Sequence, residues 1–157
     1  MKARVHAVAG ILALTLISLF FIASVTVELV GTERAVSIVK TSIVVALFVL
    51  VPSMMAAGGT GRSLAQGRTA PLLRRKQRRT AVAAAIGLAV LVPCAITLQS
   101  LAAEGDFGTT FVVVQALELV GGAVNITLLG LNARDGRLLS GATRRRRREA
   151  AATTARL

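Results

Sequence analysis

Gln115, Glu118, Gly122 and Asn125 are spaced three, four and three residues apart, which puts them on one face of a helix. They stand in an otherwise apolar run. A carboxylate in such a run must find a partner or hold a proton, because an ionised group facing lipid is costly. The partner on offer is Lys40, the only basic residue inside any of the apolar runs. At ~1.5 Å per residue, Lys40 lies ~6 Å and Glu118 ~13 Å below the same boundary, a difference two long side chains can close. Glu28, near the end of the first run, is a second candidate partner. The expected arrangement is an intramembrane polar cluster of Lys40, Glu118, Gln115, Asn125 and Glu28. Two roles fit it. A buried ion pair can fix helix register while adding little net stability. Alternatively, Glu118 can carry protons or couple an ion, with Lys40 as the modulating charge.

Other chemistry finds no support. His6 is the only histidine and sits at a helix edge, so a bis-histidine haem site is excluded and interfacial solvation is its expected role. Cys94 is the only cysteine; it can form no disulfide within the chain and reads as a small buried hydrophobe. No Cys/His cluster or spaced carboxylate pair suggests a metal. No histidine or aspartate lies deep enough to activate a serine or threonine. Ser18, Ser24, Ser42, Ser53, Thr15 and Thr26 are expected to bond helix backbone or neighbouring helices. Gly58-Gly59-Thr60-Gly61-Arg62 lacks the lysine of a phosphate loop and reads as the end of the second helix. The expectation is therefore no enzyme, no cofactor and no metal.

The elements that must hold these residues are four apolar runs at about 8–30, 36–57, 81–102 and 110–131. Each exceeds the ~18 residues that mark a transmembrane helix, and in lipid a run of this kind closes its own backbone bonds as a helix. The fold class is all-α, an integral membrane antiparallel four-helix bundle. With 157 residues, 54% of them hydrophobic, the chain has room for one such domain over 1–141, followed by a basic tail at 142–157. That tail is expected to be disordered until it meets anionic lipid. The first run is too long for a cleaved signal, whose apolar part is about 7–15 residues. Pro52 and Pro93 should each kink or loosen a helix. Short turns are expected around Gly31 and Gly105, with Thr109 or Thr110 capping the last span.

The net charge of +12 is unevenly placed. Lys2 and Arg4 precede the first run. Arg62, Arg68, Arg74, Arg75, Lys76, Arg78 and Arg79 fill the connection between the second and third. Arg134, Arg137, Arg144, Arg145, Arg146, Arg147, Arg148 and Arg156 follow the fourth. The other two connections hold Glu33 with Arg34, and Glu104 with Asp106. Basic residues in short loops stay cytoplasmic, so both termini and the middle connection are expected inside, N-in/C-in. Asp135 can pair with the middle connection, and Gly136 can end the last helix. Arg74, Arg75, Lys76, Arg78, Arg79 and the five arginines Arg144, Arg145, Arg146, Arg147 and Arg148 are expected to contact anionic headgroups, at about 1 kcal/mol each. Nucleic acid would use the same electrostatics, but the basic segments carry no aromatic for base stacking and the chain no reader fold. Trp and Tyr are absent, so arginine must anchor the bundle at the interface. The Ala-, Val- and Arg-rich composition points to a GC-rich bacterial genome and hence to the cytoplasmic (inner) membrane.

The stretch from Gln115 to Gly136, QALELVGGAVNITLLGLNARDG, then Arg137 and LLSG at 138–141, joins Lys40, the Pro52–Gly61 region and Pro93 in one pattern. Over about 35–141 the chain resembles small four-span bacterial inner-membrane proteins of unassigned function. The resemblance implies architecture only. Some similar proteins carry a histidine beside the lysine; here the neighbours are Val39 and Thr41, which speaks against haem or metal. The expected function is that of a small non-enzymatic membrane protein, an accessory, scaffold or lipid-contacting subunit. Its abundant small residues suit a homo-oligomer or a larger membrane complex. The alternative is a small proton- or ion-coupled transporter or channel using Glu118 with Lys40.

Overall fold

Apolar runs that lack a hydrogen-bonding solvent close their backbone bonds internally, and this chain does so as helix almost throughout. A computed structural model describes residues 1–65 and 71–154. Helix α1 spans Lys2–Val30, α2 Glu33–Ala65, α3 Pro71–Ile86, α4 Val92–Glu104 and α5 Thr109–Thr154. A π-helical segment, Gly87–Leu91, joins α3 directly to α4, so these pieces form one rod. The described chain thus contains 4 helices long and apolar enough to cross a membrane.

The ends of the rods follow from local chemistry. Gly31 and Thr32 separate α1 from α2, and the Thr32 hydroxyl accepts the Ala35 N–H at 3.3 Å, capping α2. Helix α4 stops at Gly105, whose φ of 74° is left-handed and cheap only without a Cβ. The Asp106 carboxylate then accepts the Gly108 N–H at 2.9 Å and leads the chain into α5.

Two expectations about helix ends give way here. The glycines at 58, 59 and 61 do not end α2, which runs on to Ala65. A glycine costs a helix about 1 kcal/mol relative to alanine, but it terminates one only where it turns left-handed. Gly136 likewise lies inside α5. That helix continues to Thr154, through the tail whose composition alone gives disorder away from lipid. Ala and Arg are strong helix formers, and extending an existing helix needs no new nucleus. The side chains of Arg144, Arg145, Arg146, Arg147 and Arg148 lie outside the described residues.

The two span prolines behave differently. Pro52 passes through α2 with the helix unbroken. Pro93 has no N–H to offer the preceding turn, and just before it the helix widens. The Val92 N–H reaches back five residues to the Gly87 carbonyl.

Two apolar clusters hold the rods together. Near the Gly105 turn, Val36, Leu98, Ala102 and Phe111 pack together, joined by Phe107, whose ring meets Phe111 edge-on at 5.0 Å. Further along, Ala13, Ile17 and Leu50 pack with Phe20, Leu47 and Ile126. Buried Ala9, Ala13, Ala83, Ala95 and Ala102 let the rods approach closely. The outward faces are as apolar as the inside: Phe48 is 82% and Leu29 77% exposed. Water would penalise such a surface, whereas lipid would not.

Candidate functional site

Lys40 on α2 is fully buried between the two apolar clusters. An ammonium has three protons to donate, and each finds an acceptor. They go to Ser24 Oγ on α1 at 3.2 Å, Gln115 Oε1 on α5 at 2.5 Å and Glu118 Oε2 on α5 at 2.7 Å. One lysine thus ties three helices. A buried charge is tolerated when it is both paired and hydrogen-bonded, and Lys40 is both. The Glu118 side chain is 13% exposed. Beside it lies a small cavity of about 60 Å³, walled also by Ser24, Leu91, Ala95 and Gly122, with room for water next to the carboxylate.

The polar face of α5 extends beyond this cluster. Gln115, Glu118, Gly122, Asn125, Asn132 and Gly136 follow a seven-residue pattern along the interior seam. Gln115, Asn125 and Asn132 on it are buried. Glycines allow close approach at two points on this stretch: a Cβ on Gly121 would stand 2.9 Å from Leu91 Cδ2, and one on Gly122 3.2 Å from Phe21 Cδ2. Asn125 faces the π-helical segment, its Nδ2 3.5 Å from where a Gly87 Cβ would stand. Among the described residues neither atom of the Asn125 amide has a hydrogen-bond partner, nor do Gln115 Nε2 and Asn132 Oδ1. Left dry, each such buried orphan would cost about 1–3 kcal/mol, so these positions favour ordered water on the seam.

At its far end the seam closes on α3. Asn132 Nδ2 donates to Thr80 Oγ1 at 2.8 Å, and Arg79 pairs with Asp135 at 2.8 Å. Both charged side chains there are largely shielded, at 18% and 15% exposure. His6 reaches across from α1, and its Nδ1 donates to the Ala57 carbonyl at 2.9 Å. The histidine is therefore docked on α2 rather than left to interfacial solvation.

The structure brings together Lys40, Glu118 and Gln115 and adds Ser24, which one of many intramembrane hydroxyls gave no reason to single out. It does not bring in the other two cluster candidates. Glu28 is exposed and forms no ion pair among the described residues, one helical turn beyond Ser24. Asn125 lies two turns from Glu118, ~10 Å along the helix, beyond side-chain reach. Of the basic residues on α3, Arg74, Arg75 and Arg78 are exposed, whereas Lys76 and Arg79 are half-buried. Arg79 turns to Asp135 rather than outward. Chemically, the centre is a neutralised ion pair with every lysine proton engaged, a device suited to holding helices in one rotation. No family model, curated protein or solved structure matches this chain.

Proposed function

We propose that the chain is a small non-enzymatic, multi-pass protein of the bacterial cytoplasmic (inner) membrane, acting as an accessory or scaffold subunit that contacts anionic lipid. Its four spans run antiparallel, with both termini and the 58–80 connection in the cytoplasm. The antiparallel reading is supported by contacts that climb one helix as they descend the next: Lys2 with Ser63, His6 with Ala57, and Ser24 with Lys40. The inside-facing termini rest on the placement of arginine.

The observation that carries the scaffold reading is the saturation of Lys40. A coupling carboxylate must exchange its proton or ion during a cycle. Releasing Glu118 from Lys40 would leave a fully buried ammonium without its counter-charge, which costs about 3–5 kcal/mol. A pair of this kind is a staple. The small buried alanines and the lipid-facing apolar surfaces suit further association, as a homo-oligomer or within a larger assembly.

One observation favours the alternative, a proton- or ion-coupled transporter or channel. The orphaned amide atoms of Gln115, Asn125 and Asn132 lie on one seam running past Glu118 toward Asp135, and water threaded along it would satisfy them. Liposomes containing wild type or Glu118→Gln separate the readings. A proton or ion flux that vanishes in the variant overturns the scaffold role. Absent flux together with a stable co-purifying complex in mild detergent supports it.

A further inference from the structure

A second cavity, of about 640 Å³, opens between α1, α2 and α3 at the Arg79 end, well away from the Lys40 cluster. Arg62, Lys76, Arg78 and His6 line it, no carboxylate does, and the remainder of its wall is mostly alanine, glycine and leucine. Arg62 and Arg78 are exposed and form no ion pair among the described residues. The nearby Asp135 is already taken by Arg79. Cations gathered around a hollow with low-dielectric walls focus their field into it and favour an anion there.

The glycines of α2 point the same way. A Cβ on Gly58 or Gly59 would meet nothing within 4 Å, so packing does not demand glycine at either position. Both nevertheless sit inside a helix, where alanine would be favoured about four- to five-fold per site. Their effect is to keep the cavity wall low. Gly61 acts differently. A Cβ there would stand 2.9 Å from His6 Cε1, so its absence seats the histidine at the cavity edge.

We infer that this cavity binds the phosphate of an anionic phospholipid headgroup, with Arg62 and Arg78 pairing the anion and the apolar wall receiving the start of an acyl chain. The two-sided lining is what selects a lipid over a soluble phosphate: a free anion has no use for the alanine and leucine surface. Basic pockets between helices near the cytoplasmic face recognise anionic headgroups in this manner. The inference rests on the reading above that this end of the bundle lies among headgroups.

The test titrates the full-length protein in neutral detergent with fluorescent short-chain phosphatidylglycerol, using inorganic phosphate and glycerol phosphate as competitors. Wild type is expected to bind one lipid saturably, with neither competitor displacing it at comparable concentration. Arg62→Gln/Arg78→Gln should weaken binding about 30-fold, since each charge near the surface contributes about a factor of five. Arg74→Gln/Arg75→Gln, the same charge loss outside the cavity, should change it less than threefold. Gly59→Leu keeps every charge, narrows the hollow and should weaken saturable binding at least tenfold while the helix stays at least as stable. Equal weakening by the two double variants, or an unaffected Gly59→Leu, means diffuse attraction and overturns the site. Displacement by inorganic phosphate or glycerol phosphate at comparable concentration overturns the lipid as occupant. Detergent binding assumes no topology, so side-specific labelling that puts Arg75 outside the cell would defeat the orientation and leave the site standing.

Discussion

Lys40→Met removes the ammonium at the centre of the bundle and leaves a side chain of similar reach. The structure sets the cost. Ser24 and Gln115 lose their donor, at about 1 kcal/mol each. Glu118 loses its counter-charge at 2.7 Å, and an unpaired buried charge costs about 3–5 kcal/mol. That figure has a ceiling, because a carboxylate can take up a proton instead, and protonating an ordinary glutamate at pH 7 costs about 3.7 kcal/mol. The 13% exposure of Glu118 lowers the cost further. Each single variant, Lys40→Met or Glu118→Gln, should therefore lose about 3–4 kcal/mol. The double variant carries no charge and should lose about 3 kcal/mol rather than the sum, giving a coupling of about 4 kcal/mol. Unfolding in mixed micelles titrated with a denaturing detergent reads all four proteins. A coupling no larger than ~0.6 kcal/mol, the average for polar pairs between membrane helices, would refute the claim that this pair fixes the rotation of α2 against α5.

Gly121→Leu should destabilise the bundle by about 1–3 kcal/mol through overpacking, whereas Gly121→Ala should be nearly neutral because the atom it meets is the mobile tip of Leu91; thermal unfolding in detergent checks both. Asp135→Asn should cost about 2 kcal/mol, because the Arg79 pair is largely shielded and asparagine leaves the guanidinium without its counter-charge; thermal unfolding in detergent measures it. In a Cys94→Ala background, Arg75→Cys should react with a membrane-impermeant maleimide only from the cytoplasmic side and Asp106→Cys only from the other; the reverse pattern in intact cells would overturn the N-in/C-in orientation.

The four spans can be read directly, because each apolar run is longer than any soluble helix needs and ends in charge or glycine. The meeting of Lys40 with Glu118 is also legible. A lone intramembrane cation and a carboxylate at similar depth have few alternatives, and flexible side chains forgive an error of several ångströms in depth. Asn125 shares the face of Glu118 but not its depth, and periodicity reports the first without the second. Glu28 enters the expected cluster by charge alone, yet it is exposed and stands one turn beyond the Ser24 that Lys40 reaches. The continuation of α2 through Gly58, Gly59 and Gly61 is hidden because glycine signals a helix end only through a left-handed φ, which composition does not reveal. The basic cavity is invisible for a related reason. Arg62, Arg78 and His6 come from three helices, and no local pattern brings them together. The π-helical segment leaves only Pro93 as a trace.

That widened turn also determines how the chain tolerates changes in length. In an ordinary helix each residue advances the rotation by about 100°, so losing one turns everything downstream to a different side. Between Gly87 and Leu91 the chain holds a surplus residue within a single loose coil. A deletion there could be absorbed by tightening the coil, leaving Ala83 before it and Leu98 after it still facing inward. The same deletion in the middle of α2 would swing Lys40 and Leu50 out of phase with one another. The third rod thus contains an expansion joint, placed opposite Asn125 at mid-bundle, where the other rods show none among the described residues.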